Sequence, residues 1–117
     1  MRIPEDAVLA RIFVGEDDRS DGKPLYEALV LKARELGLAG ATVLRGPMGF
    51  GHASRLHTAK ILRLSGDLPL VIEIVDAEDK IARFLDAIEP MMGSGLLTLE
   101  KVKVLRYGPP PPRQREP

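Results

Sequence analysis

The stretch Arg45-Gly46-Pro47-Met48-Gly49-Phe50-Gly51-His52, with Ser54, Arg55 and His57 close behind, is too glycine-rich and too polar to be core. Its glycines let a loop lie close against a bound anion, and Arg45, His52, Arg55 and His57 supply side-chain donors. Phe50 can cover an apolar or aromatic moiety, or pin the loop to its own sheet. Arg45, Gly46, Gly49, Phe50, Gly51, His52, Arg55 and His57 are therefore the candidate ligand site, suited to a phosphate or a carboxylate.

Two other chemistries compete for the same residues. His52 and His57 are the only histidines, and a metal held by them would need a third ligand from Glu16, Asp17, Asp18 or another subunit. Ser54, His57 and Asp67 can be drawn as a relay, but no nucleophile elbow or oxyanion pocket accompanies them, so no enzyme is expected. The polar run 16–21 after the first strand reads as a solvated turn and a helix cap, with a place bordering the cleft opposite the loop, or the holding of a cation, as its functional alternative.

Composition narrows the partners. The 117 residues suit a single domain, residues 1–108, followed by a proline-rich tail at 109–117. Lys plus Arg, 17 residues, balance 17 Asp plus Glu, so no net field favours nucleic acid, and any anion site must be local. Cysteine is absent, which removes disulfides, thiolate metal centres and thiol nucleophiles. The start, with Pro4, Glu5 and Asp6, lacks the apolar region of an export signal, and no run is long enough to cross a bilayer; a cytoplasmic protein is expected.

The elements that would position the site follow from periodicity. Residues 7–14 form a strand apolar on both faces, and so do residues 70–75, which marks both as central. Asp21 is expected to cap a first helix, entered through Pro24, with Leu25, Ala28, Leu29, Ala33 and Leu36 on its buried stripe and Gly37 as its stop. Residues 41–45 make the second strand and lead into the glycine loop, while 57–64 suit either an extended arm or a strand. Asp76 is expected to cap a second helix that buries Ile81, Phe84, Leu85 and Ile88 and ends at Pro90. Tyr26 and Val30 read as packing residues. Residues 96–99 and 102–106 make the last strand, with a bulge near Glu100 and Lys101 where apolar parity switches. Its Lys101 and Lys103, with Arg106, are expected to be solvated or to reach a ligand on an adjacent subunit.

The order is βαββαβ, which predicts an α+β, ferredoxin-like antiparallel sheet with both helices on one face. No element of this chain covers the other face. Leaving its Val, Leu and Ile side chains in water would forfeit about 1.5 to 3 kcal/mol each, so a homo-oligomer of closed symmetry is expected.

Read together, Gly40-Ala41-Thr42-Val43-Leu44-Arg45-Gly46, Gly49-Phe50-Gly51-His52, Leu56-His57-Thr58-Ala59, Asp67-Leu68-Pro69, Ile72-Glu73-Ile74-Val75-Asp76 and Gly95-Leu96-Leu97-Thr98-Leu99-Glu100 resemble the PII-like family catalogued as domain of unknown function one-ninety. The resemblance implies a homotrimer whose sheets line the inside. It also implies a sensor of a small anionic ligand, such as an adenine nucleotide, bound in clefts between subunits. A loop, here 46–60, would then engage a partner such as a membrane transporter or channel. The chain departs from the PII signalling proteins in having no tyrosine modification site on that loop. Met92-Gly93-Ser94-Gly95 stands where they carry a lysine-ending phosphate loop. The alternative is a metal-binding, CutA-like trimer using His52 and His57.

Overall fold

The computed structural model describes residues 3–50, the backbone of 57–58, and residues 68–109. Six elements build the domain: β1 (Asp6–Gly15), α1 (Leu25–Glu35), β2 (Thr42–Arg45), β3 (Pro69–Asp76), α2 (Glu78–Ile88) and β4 (Leu96–Lys103). The strands form one antiparallel sheet in the order β2-β3-β1-β4. The two strands that are apolar on both faces, β1 and β3, occupy the centre, as the sequence predicts.

Alternation sets the layers. Val8, Ala10, Ile12 and Val14 of β1 and Leu70, Ile72 and Ile74 of β3 point to the helix side and are buried there. Against them α1 packs Leu25, Leu29 and Ala33, and α2 packs Ile81, Phe84 and Ile88. Leu85, Tyr26 and Val30 are half-buried against this core, which bears out the packing role expected for the last two. Leu36 departs from the expected stripe and is exposed, because it lies beyond the last helical residue at the C-cap. Gly37 does stop α1: at φ 75° it carries the left-handed step, while its own N–H donates to the Arg34 carbonyl and the Leu38 N–H to that of Ala33.

Three local expectations are corrected. Asp21 is not the cap of α1; with φ 50°, and Gly22 at φ 77°, it forms the tight turn of a small ribbon pairing Arg19 with Pro24 and Ser20 with Lys23. An Asp-Gly pair tolerates the two positive φ angles such a turn demands. Pro24 holds the cap position, and the Leu25 N–H donates to the Asp18 carbonyl at 2.7 Å. Asp76 is the buried last residue of β3 rather than a helix cap: its carboxylate accepts from the Ala77 N–H at 2.7 Å and from the Ala39 N–H at 2.9 Å. It thereby ties the α1–β2 connection to the central strand. Finally, β4 has no bulge; its pairing with β1 runs residue for residue from Asp6 with Lys103 to Phe13 with Leu96. The parity switch has another origin. Leu97 and Leu99 face the helix side at a sheet edge that the helices leave uncovered, and Glu100 faces the other side, where it meets Arg11.

Candidate functional site

The loop base is assembled from three chain segments at one end of the sheet. Gly46 follows β2, and its N–H donates to the carbonyl of Pro69, the first residue of β3, at 2.7 Å. The approach is close: a Cβ on Gly46 would stand 3.0 Å from Pro69 Cγ, so the ring would have to give, and one on Gly49 would stand at 2.9 Å, where something must shift. Met48 and Gly49 then pair with Thr58 and His57, so the excursion leaves the sheet as a two-stranded ribbon. The segment after β1 closes the arrangement. Glu16 donates its N–H to the Leu68 carbonyl at 2.9 Å, and the Asp18 carboxylate accepts from the Gly15 N–H at 2.9 Å.

The charge here is paired. Arg45 forms an ion pair with Glu16, whose side chain is mostly buried while the guanidinium stays largely exposed. The polar run after β1 thus supplies a counter-charge to the loop base, a role the sequence does not indicate. Of the candidate residues, Arg45, Gly46, Gly49 and Phe50 are brought to this end of the sheet, with Phe50 exposed at 73% instead of seated on the sheet. Gly51, His52 and Arg55 lie outside the described residues, as do Ser54 and Asp67, and His57 is described by its backbone alone. The metal reading and the relay therefore rest on side chains outside the described residues; among the described residues no cluster of three acidic or histidine side chains could hold a metal ion.

A second polar constellation lies on the helix-free face, and the sequence reading passed over it. Strand register sets Thr42, Glu73, Arg11 and Thr98 opposite one another across all four strands. Arg11 Nε donates to Glu73 at 2.9 Å, and Nη1 donates to Glu100, one step along β4, at 3.0 Å. The Glu73 hydrogen bond first, and the Glu100 charge after it, raise the Arg11 pKa above its ordinary value. Apolar residues flank this row: Leu44, Val71, Phe13 and Leu96 on one side, Leu9 and Val75 on the other. The signal was present in the sequence as one arginine inside the apolar run of β1 and one glutamate inside that of β3.

Beside the row is a hollow of about 660 Å³, whose walls include Leu9, Val75, Val102 and Tyr107. The segment after β4 forms one wall. The Val104 N–H donates to the Glu5 carbonyl at 2.7 Å, and the Tyr107 hydroxyl donates to the Ala39 carbonyl at 2.6 Å. Arg106 and Lys103 line the same hollow. No described helix is long and apolar enough to cross a membrane.

A four-stranded antiparallel sheet with both helices on one side, and a long excursion between its second and third strands, defines the PII-like fold. The backbone is similar to that of CPII, a nitrogen regulatory PII-like protein from Thiomonas intermedia K12 whose structure holds ADP, AMP and bicarbonate. The TM-score is 0.66 at 16% identity, with 86% of this chain and 90% of that chain covered. Within that class, the chain belongs to the DUF190 family, described as Uncharacterized ACR, COG1993, whose model matches residues 7–104. A UPF0166 protein of Aquifex aeolicus (strain VF5) is 44% identical over 105 residues, spanning 90% of this chain and 98% of the relative. The UPF0166 protein MJ1524 of Methanocaldococcus jannaschii is 32% identical over 101 residues, spanning 86% and 93%. The family resemblance read from the sequence motifs is borne out.

Proposed function

We propose that this protein is a non-catalytic sensor of the PII-like kind, acting in the cytoplasm as a homotrimer. It binds a small anionic ligand, such as an adenine nucleotide, in clefts between copies and signals through the 46–60 loop. The observation that carries the reading is the Arg45–Glu16 pair at the root of that loop. An anion arriving at Arg45 competes with Glu16 for the guanidinium. Because Gly46 and Gly49 press on Pro69, a change at Arg45 acts on a tightly packed hinge and not on a free chain. This is the differential contact through which a ligand shifts a loop between two states. The ADP, AMP and bicarbonate in the CPII structure support the ligand class. A transporter or channel is the partner this mechanism would serve.

Thermal shift is the direct test, since a ligand that binds only the folded protein raises its unfolding midpoint. ATP, ADP, AMP, cyclic AMP, bicarbonate and divalent metals are titrated separately. A nucleotide is expected to raise the midpoint, and Arg45→Gln to abolish most of that rise, measured from the variant's own ligand-free midpoint. If no anion shifts the midpoint of an assembled protein, the sensor reading fails; a shift by metal alone, lost in a His52→Ala, His57→Ala variant, replaces it with the metal-binding one.

A further inference from the structure

The row across the open face poses a problem of desolvation. Arg11 has five N–H donors in a planar fork, and among the described residues two of them are used, one by Glu73 and one by Glu100. In the protomer water satisfies the others, for the Arg11 side chain is 34% exposed and that of Glu100 56%. The apolar rows on either side favour covering this face. Covering it would strip water from a guanidinium with unused donors and from a carboxylate with an unused oxygen, at a cost that only a new partner can offset. With one arginine and two glutamates, each cluster carries a net charge of −1, so two such faces brought together without cross-pairing would repel.

One arrangement meets both requirements. Each face carries a donor fork and, at its β4 edge, an acceptor, so a second copy of the same face offers what the first lacks. We infer that the polar row sets the register of self-association, with the free fork of Arg11 taking the Glu100 carboxylate of a second copy. This rests on the assembled state proposed above and names the contact that aligns it. Glu73 then serves as the fixed counter-ion that orients Arg11 within its own sheet. Glu100, on the edge strand, is shared between copies. The apolar rows supply area, and the polar row decides which alignment of copies is allowed, since a slip along the strands carries Arg11 away from the second copy's Glu100 and leaves its free donors unpaired.

The test is sedimentation velocity of the full chain over a range of concentration and salt, with circular dichroism as a check on folding. Four proteins are compared: wild type, Arg11→Met, Glu100→Lys, and the neutral triple variant Arg11→Met, Glu73→Gln, Glu100→Gln. The inference expects Glu100→Lys to fold as wild type, its side chain being exposed in the protomer, yet to need at least about tenfold more protein to assemble. Arg11→Met, which leaves carboxylates unopposed, is expected to weaken assembly similarly and to recover in part at high salt. The triple variant is expected to assemble at least as well as wild type, now with looser alignment. If wild type assembles and Glu100→Lys and Arg11→Met assemble equally well at every salt concentration, this inference falls and the assembled state stands. If folded wild type sediments as a protomer throughout, both fall.

Discussion

At the scale of single residues, the sequence reading asked what the glycines of the loop could hold, whereas the structure shows what they must avoid. Gly49 sits where a side chain would strike the ring of Pro69 at 2.9 Å, so Gly49→Ala is expected to cost roughly 1–3 kcal/mol by overpacking. Removing the ring should relieve it: in a double-mutant cycle read by urea denaturation, Gly49→Ala with Pro69→Ala is expected to cost less than the sum of the two. Asp76 makes a different kind of demand. Its buried carboxylate satisfies two backbone N–H groups, and Asp76→Ala leaves both without their acceptor, for an expected loss of roughly 1–3 kcal/mol measured the same way. Asp76→Asn keeps one acceptor oxygen and is expected to lose less.

At the scale of elements, the fold was largely legible because its signals are local. The alternation in β1 and β3, and the stripes of Leu25, Leu29 and Ala33 and of Ile81, Phe84 and Ile88, place the core without any knowledge of pairing. Phe84, fully buried where α2 meets the sheet, tests that core: Phe84→Ala is expected to cost about 3–5 kcal/mol. Against the roughly 5–15 kcal/mol typical of a domain, that is a large fraction of the total, and the urea midpoint is expected to fall in proportion. Boundaries and caps were read less well. Asp21 and Asp76 are good cap residues by type, but one was taken by an Asp-Gly turn and the other by a backbone donor from a distant connection. The supposed bulge in β4 arose from treating an uncovered edge strand as one with a single buried face.

At the scale of the whole molecule, the helix-free face carries the prediction. Leu44 and Leu96 stand at its outer strands and are about half exposed, with Phe13 and Val71 between them. Leu96→Glu is expected to leave the protomer's thermal midpoint nearly unchanged, because the side chain already meets water. It is expected to reduce the mass found by light scattering to that of a protomer. A mass equal to that of wild type would show that assembly uses another surface. The balance of charge over the chain, 17 basic against 17 acidic residues, makes such assembly a matter of local pairing and packing rather than of long-range attraction.

What the sequence determined by itself is the order of elements, their buried sides and the family, since periodicity and short motifs act between residues close in the chain. What only the tertiary structure decided is which charges meet. Arg11 finds Glu73 and Glu100 from 62 and 89 residues away, and Arg45 finds Glu16 across 29. Those distances close only when the strands choose a register. The register is fixed by the summed packing of a whole face, and no single residue announces it.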